Sequence, residues 1–241
     1  MKKSRPLSPF AAAEKPDGPP GGSLDLEALR RRLLERPHPI PPPPRWQDEW
    51  IEREIEPGTT VLDLGCGEGD LLHRLMRDKG IRGQGVEIDL HAVVRCVARG
   101  VPVLQADLDV GLREFPDHSF DYVVLEETVQ TLHQPLAVLS DMLRVGRRGI
   151  VSFPNFGHWR VRLALALDGR MPVTPTLPYH WYDTPNIHLF TLQDFLDWTA
   201  TAGARVVRGY ALADGVVRPL GPDDNLEAEE VLLILAGQKA H

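Results

Sequence analysis

Short apolar runs alternate along the chain with longer segments whose apolar residues recur every three or four positions. The short runs predict buried strands, and the longer segments predict helices that cover a sheet. Five strands are predicted in turn, at residues 59–64, 83–89, 101–105, 120–125 and 147–153. Strands that are mostly separated by helices predict a doubly wound α/β sheet whose strands run largely parallel.

Two further strands are predicted at residues 204–212 and 230–236, after a helix over 191–202. Because no helical pattern separates them, these strands predict an antiparallel hairpin around the acidic segment 221–229. The whole pattern therefore predicts a Rossmann-like, mostly parallel sheet of seven strands with an antiparallel pair at its C-terminal end.

The apolar spacing also predicts which face each helix buries. The helix after the second strand is expected to turn Val93, Val94 and Val97 towards the sheet. The helix over residues 135–145 is expected to bury Leu136, Leu139 and Leu143.

A glycine-rich turn follows the first strand. Gly65, Gly67 and Gly69 stand at alternate positions, and Asp63 precedes the first of them by two residues. A dinucleotide-binding loop has the spacing Gly-x-Gly-x-x-Gly around a pyrophosphate, whereas the third glycine here comes one residue early. A carboxylate at position 63 suits a cationic or amino-bearing ligand better than a pyrophosphate. The alternative is a turn that serves only packing.

The second predicted strand ends in acidic residues about twenty positions after the glycine turn. Glu87 is the candidate for binding a ribose, because a carboxylate accepts two hydrogen bonds from a cis-diol. Ile88, the next residue, is also a candidate for contact with the cofactor. Asp89 is expected to cap the next helix instead.

The residues of the glycine turn, with Asp63, resemble the first motif of class I S-adenosylmethionine-dependent methyltransferases. The resemblance implies S-adenosylmethionine as the cofactor, lying across the tips of the first three strands. It also implies that Asp107, after the third strand, accepts a hydrogen bond from the adenine amino group and that Leu108 packs against the ring. Alternatively, Asp107 is a solvated turn residue.

Composition and net charge indicate which kinds of binding partner are unfavourable. The chain has 241 residues, 42% of them hydrophobic, and a formal net charge of −7, which disfavours nucleic acid or a membrane surface as the partner. The sequence contains no run of 18 apolar residues and no signal-peptide pattern, so a cytoplasmic protein is expected. Its two cysteines, Cys66 and Cys96, give no metal-binding spacing.

The N-terminal segment has a different composition from the rest. Residues 1–44 contain 11 of the 22 prolines, which predicts a flexible extension, with a possible short helix over residues 24–36. The folded methyltransferase-like domain is therefore expected to comprise residues 45–241.

Methyl transfer from a sulfonium is an in-line displacement on activated carbon, so positioning and exclusion of water matter more than a general base. Two segments are expected to face the pocket: residues 126–130, just after the fourth strand, and residues 154–190, which are too long for an ordinary connection and predict a lid or substrate module. The catalytic candidates are Glu127, Gln130, His158 and His188. The candidates for contact with substrate or partner are Asn155, His158, Trp159, Tyr182, Asn186 and His188.

Four longer strings resemble the methionine biosynthesis protein MetW family. They are residues 142–148, 152–163, 169–174 and 181–188, and the likeness spans roughly residues 46–202. The resemblance implies a methyltransferase-like fold and a role beside homoserine O-acyltransferase in bacterial methionine synthesis.

The chain departs from that family at positions 126–127, where Glu-Glu stands in place of the usual Ser-Gln. Two carboxylates there could bind a cationic acceptor, act as a base, or face solvent.

Two functional hypotheses follow. The first is a methyltransferase that acts on a small molecule. The second is a subunit that supports or regulates homoserine O-acyltransferase, with the cofactor as a sensor ligand or absent. A nicotinamide-dependent oxidoreductase is disfavoured by the glycine spacing and the terminal hairpin.

Overall fold

The structure is a computed structural model that describes residues 45–237. The predicted extension over residues 1–44, with its possible helix over 24–36, lies outside the described residues. The helices are α1 (Trp46–Glu54), α2 (Asp70–Lys79), α3 (Leu90–Ala98), α4 (Pro135–Val145), α5 (Trp159–Leu163), α6 (Leu192–Thr201) and α7 (Asp224–Glu227). None of these helices is long and apolar enough to cross a membrane.

The strands form one sheet in the order β3-β2-β1-β4-β5-β8-β6-β7. They are β1 (Thr60–Leu64), β2 (Arg82–Glu87), β3 (Val103–Gln105), β4 (Phe120–Glu126), β5 (Gly146–Pro154), β6 (Ala204–Ala213), β7 (Val216–Pro219) and β8 (Glu230–Gly237). Strands β1 to β5 pair in parallel, and β8 is antiparallel to both β5 and β6. The predicted doubly wound, mostly parallel sheet with a C-terminal antiparallel pair is confirmed.

The sheet has eight strands among the described residues rather than the predicted seven. The additional strand is β7, which forms a tight antiparallel hairpin with β6. The turn between them consists of Asp214 and Gly215, both in the left-handed region at φ 49° and 76°. Asp-Gly is a strong signal for a two-residue hairpin, and it identifies this short edge strand in the sequence.

Strands β2 and β3 lie on one side of β1 in the sheet, and β4 and β5 lie on its other side. In an open α/β sheet, the crevice where the strand order reverses is the usual place for a ligand. The glycine turn after β1 and the Glu126–Glu127 segment at the end of β4 both lie at this position. The fold therefore brings the two predicted pocket segments to the same edge of the sheet.

Each face of the sheet has its own apolar core. Residues of α4 and α6, including Met142 and Phe195, pack on one face. Residues of α1 and α2, including Ile51 and Leu75, pack on the other. Helices on both faces explain why the central strands read as continuous apolar runs.

The predicted buried face of α3 is wrong for Val94 and Val97, which are exposed, whereas Val93 is half-buried and Ala92 and Cys96 are buried. Cys96 Sγ lies 3.1 Å from the carbonyl oxygen of Gly67, so only small side chains fit between α3 and the glycine turn. The predicted burial of Leu139 is confirmed, but Leu136 is exposed in the first turn of α4.

Asn155 ties both ends of the segment over residues 154–190 to the sheet. Its side chain is 1% exposed. The Nδ2 group donates to carbonyls of α7 and the residue after it, including Ala228 O at 2.9 Å. Oδ1 accepts from the backbone amides of Gly157 at 2.9 Å and Leu192 at 3.0 Å. Asn155 therefore holds the start of this segment, the start of α6 and the approach to β8 together.

Replacing Asn155 with alanine should lower the free energy of unfolding by about 3 kcal/mol, because it leaves several buried backbone groups without partners. A chain of this size should lose roughly 2–4 °C in Tm for each 1 kcal/mol. Thermal unfolding measures the change. The control is Gln193→Ala, an exposed side chain on α6 that bonds only Asp197 on the same helix and should cost less than about 0.5 kcal/mol. Equal effects of the two substitutions would contradict the assignment.

Candidate functional site

The glycine turn adopts a conformation that only glycine takes readily. Gly65, Gly67 and Gly69 have φ of 77°, 54° and 78°. A Cβ atom on Gly65 would lie 2.8 Å from Thr128 Oγ1, and one on Gly69 would lie 3.0 Å from Cys96 Sγ. A Cβ on Gly67 would meet nothing within 4 Å. The turn is thus closed by protein at its two ends and open in the middle, where a ligand could approach the backbone.

Glu87 connects the end of β2 to this turn. Its Oε2 accepts a hydrogen bond from Gly67 N at 2.9 Å, and its Oε1 accepts from the amides of Ile88 and Asp89 at 2.9 Å each. Because each carboxylate oxygen has two lone-pair positions, Oε2 keeps one for a ligand hydroxyl. Asp89 caps α3 through a hydrogen bond from His91 N at 3.0 Å, as predicted.

Asp63 is the most deeply buried of the predicted ligand-binding carboxylates, with 4% exposure. No donor among residues 45–237 hydrogen-bonds to its side chain. Burial, and then the nearby negative charge of Glu126, raise the pKa of Asp63 to about 8. A carboxyl group in this state gains most from a bound cation.

The predicted adenine-binding residues lie at the third strand. Asp107 is exposed and accepts a hydrogen bond from Asp109 N at 2.9 Å, which caps the short helical turn Leu108–Val110. Leu108 belongs to the apolar core, whereas Ile88 is exposed. The amide of Ala106 donates to Glu87 O at 3.0 Å, so the ends of β2 and β3 are adjacent. The adenine-binding roles remain predictions.

An ion-pair cluster lies beside Asp63 at the end of β4. Arg45 pairs with Glu126 at 3.2 Å and with Asp48 at 3.0 Å, and Arg74 pairs with Asp48 at 2.8 Å. Burial raises the pKa of Glu126 to about 7 although Arg45 opposes the shift. Glu126 therefore carries only part of a negative charge near neutral pH.

The next residue, Glu127, contacts a second buried carboxyl group. Gln47 Nε2 donates to Glu127 Oε1 at 2.8 Å and to Glu230 Oε2 at 3.1 Å, and Trp46 Nε1 donates to Glu230 Oε2 at 2.5 Å. Burial and the charge of Glu127 hold the pKa of Glu230 well above its usual range.

Sequence reasoning missed Trp46, Gln47 and Glu230 as parts of this site. Trp46 and Glu230 are 184 positions apart, so no local spacing links them. The available signal was the acidic pair Glu229-Glu230 directly before an apolar strand, because a buried carboxylate there needs a donor.

A cavity of about 270 Å³ opens beside these carboxyl groups. Its lining residues include two of the predicted catalytic candidates, Glu127 and Gln130, and the predicted contact residue Asn186. The full lining is Glu127, Gln130, Thr131, Pro154, Pro175, Thr176, Pro178, Tyr179, Pro185, Asn186 and Glu230. The segment over residues 154–190 thus forms one wall of this cavity.

The other predicted contact residues lie elsewhere. His188 is exposed, and its amide donates to Gln130 O at 3.0 Å. His158 is buried outside the cavity lining, and burial, with the charge of Arg160, lowers its pKa to about 4. Trp159 stacks on Arg160 at 4.7 Å, and Tyr182 is exposed. The catalytic and contact roles of these residues remain predictions.

The strand order, the crevice between β1 and β4 and the glycine turn define a class I methyltransferase fold. The chain belongs to the family described as methionine biosynthesis protein MetW, whose sequence profile matches residues 45–230. The family resemblance found in the sequence is therefore confirmed.

A relative from Rhodopirellula baltica is named bifunctional methionine biosynthesis protein MetXA/MetW. It is 36% identical over 190 residues, which cover 70% of this chain and 29% of that protein. A ribosomal protein L11 methyltransferase from Burkholderia mallei is 36% identical over 96 residues, which cover 39% of this chain and 30% of the other. The chain thus spans less than a third of the length of these curated relatives.

Solved structures share the fold at low sequence identity. An S-adenosylmethionine-dependent methyltransferase from Thermotoga maritima has a TM-score of 0.58 at 17% identity, covering 90% of this chain and 96% of that one. One from Archaeoglobus fulgidus has a TM-score of 0.57 at 16% identity, covering 89% and 94%. This similarity places the fold of the chain among methyltransferases.

The raised carboxyl pKa values predict how stability depends on pH. Asp63 faces Glu126, Arg45, Asp48 and Glu87. Because the folded state holds a proton on Asp63 up to about pH 8, whereas the unfolded chain releases it near pH 4, the free energy of unfolding should fall as pH rises between these values. Asp63→Asn should reduce this fall, so its Tm should exceed the wild-type value at pH 8 more than at pH 5.

Thermal unfolding without ligand, from pH 5 to pH 8, measures this effect. The control is Asp78→Asn, because the neighbouring Arg77 lowers the pKa of that exposed carboxyl and the group titrates below this range. A wild-type stability that rises with pH, or an unchanged slope in Asp63→Asn, would disprove the prediction.

Proposed function

We propose that this chain binds S-adenosylmethionine across the carboxyl ends of β1, β2 and β3 and acts in methionine biosynthesis together with a homoserine O-acyltransferase. The observation that supports the first part most strongly is the buried carboxyl group of Asp63, which receives no hydrogen bond from the described residues.

The residues present fit this cofactor. S-adenosylmethionine carries a sulfonium and an ammonium, and a buried carboxylate with few partners is stabilised by positive charge. The open backbone at Gly67 leaves room for a ligand to approach the turn. A pyrophosphate would instead meet the carboxylates of Asp63 and Glu87. The charge of the site therefore favours a cationic ligand.

The proposed assignments follow the strands. Asp63 and the glycine turn hold the amino-acid end, and Glu87 accepts hydrogen bonds from the ribose hydroxyls. Asp107 accepts from the adenine amino group, while Ile88 and Leu108 contact the ring. The exposed side chain of Ile88 supports a ring contact, whereas Leu108 contributes from the core.

When bound, S-adenosylmethionine supplies a methyl group on a positively charged sulfur. The work left to the protein is to orient an acceptor and to exclude water. We propose Glu127 and Gln130 for this role, since both line the cavity. Thr128 lies between them in the sequence, and its side chain is so close to Gly65 that it would contact a Cβ atom there. The segment over residues 126–130 is therefore adjacent to the glycine turn.

The proposed partner rests on the Rhodopirellula baltica relative. In that protein, a segment similar to this chain makes up 29% of a polypeptide named MetXA/MetW. Joining two units in one chain raises their effective concentration, which is useful where they act together. A homoserine O-acyltransferase, the function we associate with the MetXA part, is accordingly the proposed partner of this chain.

A second candidate function is a conventional methyltransferase for a small molecule outside methionine synthesis. The cavity of about 270 Å³, with carboxyl groups on its wall, favours a small-molecule ligand in either case. The two functions differ in the partner protein.

Cofactor binding is tested by titration calorimetry with S-adenosylmethionine and with NAD. We expect S-adenosylmethionine alone to bind, and to stabilise the protein by about 2.7 kcal/mol at one hundred times its Kd. Asp63→Asn and Glu87→Gln should each raise that Kd at least tenfold, which corresponds to roughly 1.4 kcal/mol.

Asp78→Asn is the matched control and should bind like the wild type, because Asp78 lies on α2 and pairs only with Arg77. Absence of S-adenosylmethionine binding to the wild type would refute the cofactor assignment, and tight binding to Glu87→Gln would refute the ribose role.

The partner is tested by size-exclusion chromatography of this chain mixed with the homoserine O-acyltransferase of the same organism. We expect one co-eluting complex. Tyr182→Ala should weaken it at least tenfold, because Tyr182 is exposed and its loss leaves the core intact. Val97→Ala, an exposed apolar side chain on α3, serves as the control. Separate elution of the two wild-type proteins at micromolar concentration would contradict the proposal.

A further inference from the structure

The cavity beside Glu127 has one wall made of hydrogen-bond acceptors. Glu127 and Glu230 line it with their carboxyl groups. Glu127 has a left-handed backbone, with φ 47°, which is uncommon for a residue other than glycine. Its amide is held by Ser152, whose carbonyl and hydroxyl oxygens each accept from it at 3.1 Å. The fold therefore fixes this carboxyl group at the cavity in spite of an unfavourable backbone conformation.

Gln130 provides an independent indication of a ligand. Its side chain is 5% exposed and lines the cavity. Nε2 donates to Glu127 O at 2.7 Å, which establishes that the other amide atom is the oxygen. That oxygen, Oε1, is buried and has no hydrogen-bond partner. A buried acceptor without a donor is rare in proteins, so this oxygen is open to a donor from a ligand or a water molecule.

The rest of the lining supplies no positive charge. None of the residues that line the cavity, all of them in the described part of the chain, is Lys, Arg or His. Besides the two glutamates and Gln130, the lining comprises four prolines, the ring of Tyr179 and the neutral polar residues Thr131, Thr176 and Asn186. The cavity thus combines carboxyl groups with neutral side chains.

From this composition, we infer that the cavity binds a small primary amine as its ammonium ion, with the nitrogen held by Glu127, Glu230 and Gln130 Oε1 and the carbon chain against the lining prolines. An ammonium has three donors and no acceptor, which matches three acceptors among the lining residues. An alcohol has one donor, and a carboxylate would be repelled by the two glutamates. The ligand class therefore follows from both charge and donor count.

On the proposed function, on which this step depends, the amine is the methyl acceptor. The bound ammonium gives one proton to the Glu127–Glu230 pair. When bound, S-adenosylmethionine would supply the methyl group: the freed lone pair on nitrogen would form the nitrogen–carbon bond as the carbon–sulfur bond broke and its electron pair stayed on sulfur. The product leaves as a methylammonium. The carboxyl groups of Glu127 and Glu230 both belong to residues that line the cavity, so a carboxyl oxygen is within reach of this proton.

The test uses the full chain saturated with S-adenosylhomocysteine and three probes of similar size: n-butylamine, n-butanol and butyrate. Binding is measured by titration calorimetry. We expect n-butylamine to bind at least tenfold more tightly than n-butanol, and butyrate not to bind. Glu127→Gln should weaken n-butylamine binding at least tenfold and abolish its preference over n-butanol.

Two further variants keep the result interpretable. Glu49→Gln removes an exposed carboxylate of α1 that pairs with Arg53 and should leave amine binding unchanged. Gln130→Leu removes Oε1 without changing the charge and should weaken the amine more than the alcohol. Thermal unfolding of each variant verifies that it is folded.

Equal binding of n-butylamine and n-butanol, or full amine binding by Glu127→Gln, would overturn the inference. Failure of the proposed function is distinguishable from this, because it would appear as loss of S-adenosylmethionine binding by the wild type. Cofactor binding with no amine preference would reject the ligand class alone. As a second readout, mass spectrometry would detect methylated n-butylamine, and its formation would support the inference.

Discussion

Several carboxyl groups are buried together at the carboxyl edge of this sheet. A carboxylate that leaves water is stable only when it is protonated, paired or neutralised by a bound cation. Among residues 45–237, Arg45 pairs with Glu126, but neither Asp63 nor the Glu127–Glu230 pair has an ion-pair partner. Burial accordingly raises the pKa of Asp63 and of Glu230. This electrostatic constraint matches the site to ligands that bring positive charge.

Residues 45–47 stabilise these buried carboxyl groups. Arg45 supplies a cation, while Trp46 and Gln47, both buried, donate hydrogen bonds to the glutamates at the ends of β4 and β8. A donor that is neutral satisfies a carboxyl oxygen without removing the need for a countercharge. Helix α1 is therefore part of the site as well as part of the core, since Ile51 on the same helix packs under the sheet.

Sequence patterns predicted the parts of the site that are local in the chain. Asp63 and the three glycines stand within seven residues, and Glu87 follows at a distance set by one helix and one strand. The doubly wound, mostly parallel sheet was also predicted, because alternation of strands and helices restricts the topology. Glu230 could not be found in this way, because its partners Trp46 and Gln47 come from the other end of the domain.

The buried face of α3 was missed for a different physical reason. Valines mark the apolar face of a helix when the neighbouring surface has room for them. Here the helix packs against a glycine turn so closely that Cys96 contacts its backbone, and Val97 is left exposed. Close packing against the glycine turn therefore overrides the apolar pattern on this helix.

The segment over residues 154–190 has two surfaces with different properties. Pro175, Pro178 and Asn186 line the cavity, whereas Trp181 is 77% exposed on the same segment. The segment also bonds to the cavity wall directly, since Gln130 O accepts from the amides of both Ile187 and His188. On the proposed function, a protein bound to the exposed aromatic residues would contact the same segment whose backbone amides bond to Gln130 O. This segment is thus the element that the proposed partner surface and the cavity share.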